Sequence, residues 1–290
     1  MDLEDARVTV VGLGLIGGSL ALGLQPRCRG LTGVDPDPKT LELARQAGIQ
    51  VRELEPALLG ADVLILATPV RESLRLLQAF RPHPPAVALL MDVGSTKRQI
   101  VAAMEALPAQ VAAVGGHPLC GKERSGFQQA EAGLFLGSQF VLTPCSHTTP
   151  EGLRLAEQLV SALGASILRM AADRHDRLLA AASHLPYLLA AALMGSVEHL
   201  GEQDPALWEV VASGFLGTSR LAASDLTMMV DILATNQDMT LSALSGAQAA
   251  LEQLRKLLAD GSTGQLREHL QPLQQRRLSL QDRRGFMHGA

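Results

Sequence analysis

The sequence predicts an α/β fold: a doubly wound, mostly parallel sheet in the N-terminal part, followed by an all-α region. Three observations support this. Strand-like apolar runs alternate with helical patterns up to about residue 172, a glycine-rich turn lies at the first strand-to-helix junction, and strand patterns vanish from residue 173 onward. The chain is therefore read as two domains, residues 1–172 and 173–290. In a sheet of this kind, ligands bind at the carboxyl ends of the strands.

Residues 8–11 are β-prone and run into Gly12-x-Gly14-x-x-Gly17, with a small-residue helix pattern from Ser19 to Leu24. Each glycine has a physical role in such a turn. Gly12 permits the tight exit from the strand, Gly14 lets backbone approach a pyrophosphate, and Gly17 lets the helix lie close on the sheet. The helix then starts near Leu15 and Ile16, with its amide groups and dipole facing the phosphates. The second strand, 31–35, ends on Asp35, 23 residues beyond Gly12. A carboxylate there hydrogen-bonds the adenosine ribose hydroxyls and repels a 2′-phosphate, which argues for NAD over NADP. Gly12, Gly14, Leu15, Ile16, Gly17 and Asp35 thus form the expected cofactor-binding set, with Thr68 after the next buried strand. The plainer alternative is a glycine-rich turn that holds no ligand.

Further elements follow in order. Residues 38–48 read as a helix closing on a glycine, and 62–67 as a strand whose unbroken apolar run requires cover on both faces. A helix at 72–80, a buried strand at 87–92, a helix at 97–107 and a strand at 111–115 continue the alternation. Later strands at 140–143 and 165–170 flank a helix at 151–163. Beyond these come long helical patterns at 174–200, 205–212, 225–233, 236–260 and 263–284. Their apolar faces predict a domain that buries surface against a second copy, a homodimer. Pro186 should kink the first of them near Ser183 and His184.

Composition narrows the class. With 47% hydrophobic but 3% aromatic residues, the core is built of Leu, Ala, Val and Ile. A net charge of −4 gives no reason to expect nucleic acid or an anionic membrane as partner. The acidic opening Met-Asp-Leu-Glu-Asp is no signal peptide, and no uninterrupted apolar run of about 18 residues predicts a bilayer span. Three cysteines without CxxC spacing predict a reduced, cytoplasmic chain with no structural metal or disulfide framework.

Residues 115–126, Gly-Gly-His-Pro-Leu-Cys-Gly-Lys-Glu-Arg-Ser-Gly, follow a predicted strand, so His117 falls at the carboxyl end of the sheet. A histidine there can take a proton from a substrate hydroxyl while hydride leaves the same carbon. A structural histidine is the plainer alternative. Ser95, at the end of the preceding strand, can orient that histidine or the nicotinamide, and Ser95 or Thr96 can equally cap the helix that follows.

Five segments occur in order: Gly12-Leu-Gly-Leu-Ile-Gly-Gly, Asp92-Val-Gly-Ser95-x-Lys97, Gly-Gly-His117-Pro-x-x-Gly, Ser183-His184-Leu-Pro186 and Gly214-Phe-x-x-x-Ser-Arg220. Together they make the chain resemble the prephenate/arogenate dehydrogenases of tyrosine biosynthesis over nearly its whole length. The resemblance implies a Rossmann domain followed by a helical dimerisation domain. It further implies His117 as the catalytic proton acceptor, Ser95 as its partner and Arg220 as the anchor of a substrate carboxylate. His184 would contact substrate, and Glu123 would sit at the pocket mouth. Two departures stand out: Gly214-Phe215-Leu216-Gly217 lacks the charged pair often seen before the arginine, and Cys120 stands where a small residue or methionine is common. The expected form is monofunctional, with neither a regulatory nor a mutase region. The expected reaction is NAD-dependent oxidative decarboxylation of prephenate to 4-hydroxyphenylpyruvate, or of arogenate to tyrosine. A β-hydroxyacid dehydrogenase or imine reductase would need a lysine or tyrosine donor, and the helical part holds one tyrosine, Tyr187, and few lysines. A non-catalytic NAD-sensing regulator is the alternative of another class; it would give His117, Ser95 and Arg220 no joint purpose.

Overall fold

The computed structural model describes residues 1–122 and 124–287. The chain forms two compact bodies, Met1–Met239 and Thr240–Ala290. The first body opens with β1 (Arg7–Val11), α1 (Leu15–Leu24), β2 (Gly30–Val34), α2 (Pro38–Gln46), β3 (Gln50–Val51), α3 (Leu54–Leu58) and β4 (Val63–Leu66). It continues with α4 (Val70–Phe80), β5 (Leu89–Asp92), α5 (Arg98–Glu105), β6 (Ala113–Pro118), β7 (Gln139–Pro144), α6 (Pro150–Ala162) and β8 (Ser166–Arg169). The strands form one eight-stranded sheet in the order β3-β2-β1-β4-β5-β6-β7-β8. All neighbours are parallel except β6 and β7, which run antiparallel with His117 opposite Val141. The order reverses at β1, so a crevice opens between the carboxyl ends of β1 and β4, where such sheets bind ligands.

The apolar strands are unbroken because helices cover both faces. On β4, Val63 and Ile65 enter one core with Leu20, Phe135 and Phe140, while Leu64 and Leu66 enter the other with Leu77, Ile100 and Met104. Each fully buried leucine contributes about 1.5–3 kcal/mol. The sheet layer thus rests on aliphatic packing, as the composition predicts. Two small elements, β3 and α3, escape the sequence reading, since strands of two residues are too short to show a period.

Beyond the sheet lie α7 (Ala172–Leu179), α8 (Leu185–Gln203), α9 (Ala206–Glu209), α10 (Ser213–Ser219), α11 (Leu226–Thr235), α12 (Gln237–Ala259) and α13 (Thr263–Met287). The single helix expected at 174–200 runs through α7 and α8, with a π-helical turn at Ala180–His184 between them. There the Leu185 amide bonds the Ala180 carbonyl five residues back. Pro186 explains it: without an N–H it leaves the carbonyl of Ala182 unmatched, and the turn widens where a kink is expected. The helix expected at 205–212 is shortened to α9, and α10 begins beyond it at Ser213, where no helix is expected. The stretch Ala172–Gln203 is long and apolar enough by length and composition to cross a membrane, which the search for an uninterrupted apolar run misses. Only 17% of its most apolar window is buried, and Leu178, Leu189 and Leu200 are exposed. The second body comprises the rest of α12 together with α13, which carries Pro272 inside it.

Candidate active site

At the first strand-to-helix junction, Gly12 adopts φ +90°, and a side chain there would meet the Ala67 carbonyl oxygen at 2.7 Å. A Cβ on Gly17 would stand 1.8 Å from the Gly12 carbonyl oxygen, so close packing of α1 on the turn requires glycine. Around Gly14 nothing lies within 4 Å of such a Cβ, and the turn faces open space. That space is a cavity of about 840 Å³ lined by Gly12, Gly14, Asp35 and Thr68. The Asp35 carboxylate accepts hydrogen bonds from the Leu13 amide (2.8 Å) and the Asp37 amide (2.9 Å), which ties the end of β2 to the turn. A bare turn, an acid beside it and the N-terminus of α1 suit a pyrophosphate and ribose.

A second cavity of about 400 Å³ shares Gly14, Thr68 and Pro69 with the first and reaches Leu15, Ile16, Ser95, Lys122, Arg124 and the face of α11 at Asp231 and Ile232. It lies beyond β4 and β5, where the reactive end of an extended dinucleotide would fall.

His117 is the penultimate residue of β6, in a position that its two preceding glycines make possible. A Cβ on Gly115 would meet Thr143 Oγ1 at 2.2 Å, and one on Gly116 would meet the Asp92 carbonyl oxygen at 2.6 Å. His117 Nδ1 lies 2.8 Å from His175 Nε2, and His175 Nδ1 lies 2.8 Å from Asp176 Oδ1. His175 and Asp176 are both fully buried on α7. The same carboxylate caps α5: Oδ1 also accepts from the Lys97 amide (2.7 Å), and Oδ2 accepts from the Arg98 amide (2.9 Å). The cap expected from Ser95 or Thr96 is thus supplied from 78 to 79 residues away. Thr96 Oγ1 instead meets Thr235 Oγ1 of α11 at 2.9 Å.

Beneath His117, the fully buried Lys97 donates to Asp92 and to the Gly116 carbonyl. Burial pushes the Asp92 carboxyl up and the Lys97 ammonium down, each opposed by the attraction of the other. Burial also pushes the Asp176 carboxyl up, but the bonds from His175 and the two amides together outweigh it and hold the group below the ordinary carboxylate value. His117 is driven well below the ordinary histidine value by burial first, then by His175, Lys97 and His184. It is therefore neutral at neutral pH, as a base must be.

The remaining expected residues fall in different places. Ser95 lines the second cavity, and the partner of His117 Nδ1 is His175, not Ser95. Arg220 opens a short 3-10 turn, Arg220–Ala223, and lines a third cavity of about 390 Å³ with Lys122 and Arg124, which also border the second. His184 is buried at the π-helical turn, 3.3 Å from Asn236 Nδ2, and burial lowers its pKa to about 4; it lines none of these three cavities. Glu123 lies outside the described residues. The sequence reading misses the adjacent His175 and Asp176 on α7 and Asn236 at the turn between α11 and α12, none of which carries a spacing signal. Lys122 and Arg124 lie within the segment quoted around His117 and were legible there as a basic pair.

Glycine turn, crevice and neutral histidine together define a nucleotide-dependent dehydrogenase architecture with a helical C-terminal part. The comparisons sharpen this. The nucleotide-binding domain of prephenate dehydrogenase matches residues 20–169, and its dimerization domain matches 171–272. The chain belongs to the prephenate dehydrogenase family. It is 31% identical to the prephenate dehydrogenase of Bacillus subtilis (strain 168), over 82% of this chain and 66% of that protein. Its fold is similar to that of prephenate dehydrogenase from A. aeolicus in complex with hydroxyphenyl propionate and NAD+ (TM-score 0.89, 27% identity, 97% of this chain and 100% of that one). It is similar as well to Synechocystis arogenate dehydrogenase (TM-score 0.80, 30% identity, 94% of this chain and 99% of that one).

Proposed function

We propose that this chain catalyses the NAD+-dependent oxidative decarboxylation of prephenate to 4-hydroxyphenylpyruvate and carbon dioxide, with His117 as the proton acceptor. One observation carries the reading. His117 stands at the carboxyl end of β6, on the same edge of the sheet as the glycine turn of β1, with Nδ1 engaged and no partner for Nε2 among the described residues. A neutral imidazole with one lone pair to offer is what loss of a carbinol proton requires.

In this reading residues 1–172 hold the cofactor. Gly12, Gly14 and Gly17 clear the pyrophosphate path, the amides at Leu15 and Ile16 face it, Asp35 takes the ribose hydroxyls, and Thr68 joins the two cavities. Bound there, NAD+ supplies the acceptor for the hydride that leaves the substrate ring. His117 Nε2 takes the hydroxyl proton, and Ser95 orients the group that His117 meets. The ketone so formed is conjugated to the carbon bearing the ring carboxylate, so carbon dioxide leaves and the ring aromatises without a further acid or base. Arg220 holds the side-chain carboxylate; a tight grip on the departing ring carboxylate would stabilise the ground state instead. His184 and Glu123 complete the substrate contacts. Residues 173–290 bury their apolar helix faces in a homodimer, and the protein works in the cytoplasm without nucleic acid or membrane.

Arogenate is the second reading, favoured by the likeness to the Synechocystis enzyme. NAD+ reduction assayed with prephenate, with arogenate and with neither separates the two. The expected result is turnover with prephenate. Faster turnover with arogenate reverses the substrate assignment, and no turnover with either leaves an NAD-binding regulator.

A further inference from the structure

We infer that His175, held by Asp176, is a positioning residue that fixes His117 in the Nδ1–H tautomer and so keeps its Nε2 lone pair for the substrate. The inference rests on His117 as the base, and it follows from the order of donors along one buried chain of hydrogen bonds. The carboxylate of Asp176 can only accept. It takes N–H bonds at 2.7 and 2.9 Å from the first amides of α5, and Oδ1 also faces His175 Nδ1 at 2.8 Å. Nδ1 of His175 must therefore carry the hydrogen. With that hydrogen as its one ring proton, His175 keeps a lone pair at Nε2, and the group that this atom meets among the described residues is His117 Nδ1, at 2.8 Å. Two lone pairs cannot share that distance, so His117 Nδ1 donates, and Nε2 is left bare.

Ring geometry agrees. The two imidazoles meet edge-on, with centroids 5.0 Å apart and planes at 65°, which aims one ring edge at the other. Full burial of His175 and Asp176 excludes water as an alternative partner for either. Burial first, then His175, Lys97 and His184, disfavours a positive charge on His117 before substrate arrives. Asp176 also ties this chain to the fold itself, since the same carboxylate caps α5. The device thus joins the start of α7 to the end of β6, and it matters because the opposite tautomer would present an N–H, not a lone pair, to the carbinol.

Two measurements test it. Nitrogen-15 NMR of histidine-labelled protein at neutral pH, with the His117 signals assigned through His117→Asn, reads the tautomer directly and does not depend on activity. The wild type is expected to show Nδ1–H on His117, and His175→Phe to show a mixture or Nε2–H. Steady-state kinetics with prephenate should give a fall in kcat on the order of 10²–10³ for His175→Phe, with NAD+ affinity retained. His175→Gln, whose side-chain carbonyl can still accept from Nδ1, should recover about tenfold of that loss; a residue that merely fills space would show no such rescue. An Nε2–H tautomer in the wild type, a doubly protonated His175, or a His175→Phe enzyme within about threefold of wild-type kcat each overturns the inference. If His175→Phe fails to fold, the wild-type spectrum and the Gln variant decide it. Should His117→Asn keep its activity, the role of His117 as base fails, while the spectrum still decides the tautomer.

Discussion

The glycine turn of β1 and the histidine chain at the end of β6, to which the proposed reaction gives the cofactor and the proton, are built in opposite ways. The turn is local: Gly12, Gly14, Gly17 and Asp35 fall within 24 consecutive residues, and the bond from the Leu13 amide to Asp35 spans 22 positions. The histidine chain is assembled from β5, α5, β6 and α7, with bonds spanning 58 and 79 positions. One βαβ unit can carry a nucleotide site because backbone geometry does most of the binding. Control of a proton needs side chains from several directions and a dry setting, so it depends on the finished fold.

The sharpest way to break this contrast is His117→Asn. Turnover should fall on the order of 10²–10⁴ while NAD+ binding, measured by fluorescence titration, stays near wild type. Since only the neutral ring accepts a proton, activity is lost as pH falls through the His117 value. That value lies well below the ordinary 6.5, so kcat/KM should stay level through pH 6.5 and drop only at more acid pH. His175, Lys97 and His184 are the groups that face His117 and shape this limb. A variant that loses NAD+ affinity along with turnover would merge the two regions into one.

Next in size comes the buried pair beneath His117. Lys97→Met leaves the Asp92 carboxylate buried with only backbone amides to hold it, and should cost about 3–5 kcal/mol in urea unfolding. A loss below about 1 kcal/mol would mean that the pair is already neutral and that the proton-handling region is less charged than its geometry suggests.

Arg220 should respond more modestly. It is exposed at the head of its 3-10 turn, so the proposed pairing with a substrate carboxylate would be partly screened. Arg220→Ala is expected to raise KM for prephenate about 10- to 100-fold, with NAD+ affinity unchanged, and Lys should restore only part because a point charge cannot reproduce the fork. An unaltered KM removes it from substrate binding.

The smallest effect belongs to Asp35. Asp35→Ser should narrow the preference for NAD+ over NADP+ by about tenfold, as expected from removing one charge a few ångströms from a phosphate. Because the carboxylate also holds the Leu13 and Asp37 amides, NAD+ affinity should fall somewhat too. A wild-type preference for NADP+ would undo the assignment of this residue.

What the sequence determined by itself is whatever the chain encodes over short distances. Strands β1, β2, β4, β5 and β6 follow from apolar runs and glycine punctuation, and the cofactor turn from three glycines whose side-chain positions are blocked or needed bare. Pro186 marks the place of the π-helical turn because a missing donor acts within one turn of helix. Tertiary structure alone decided the rest. Nothing in the local sequence distinguishes His175 from any other histidine near a helix start, and nothing foretells that Asp176 rather than Ser95 or Thr96 caps α5. His117 could be placed at the edge of the sheet, but its lone pair could not be placed. That depends on which group, far along the chain, folding brings within 2.8 Å of Nδ1, in a site dry enough to leave it a single partner.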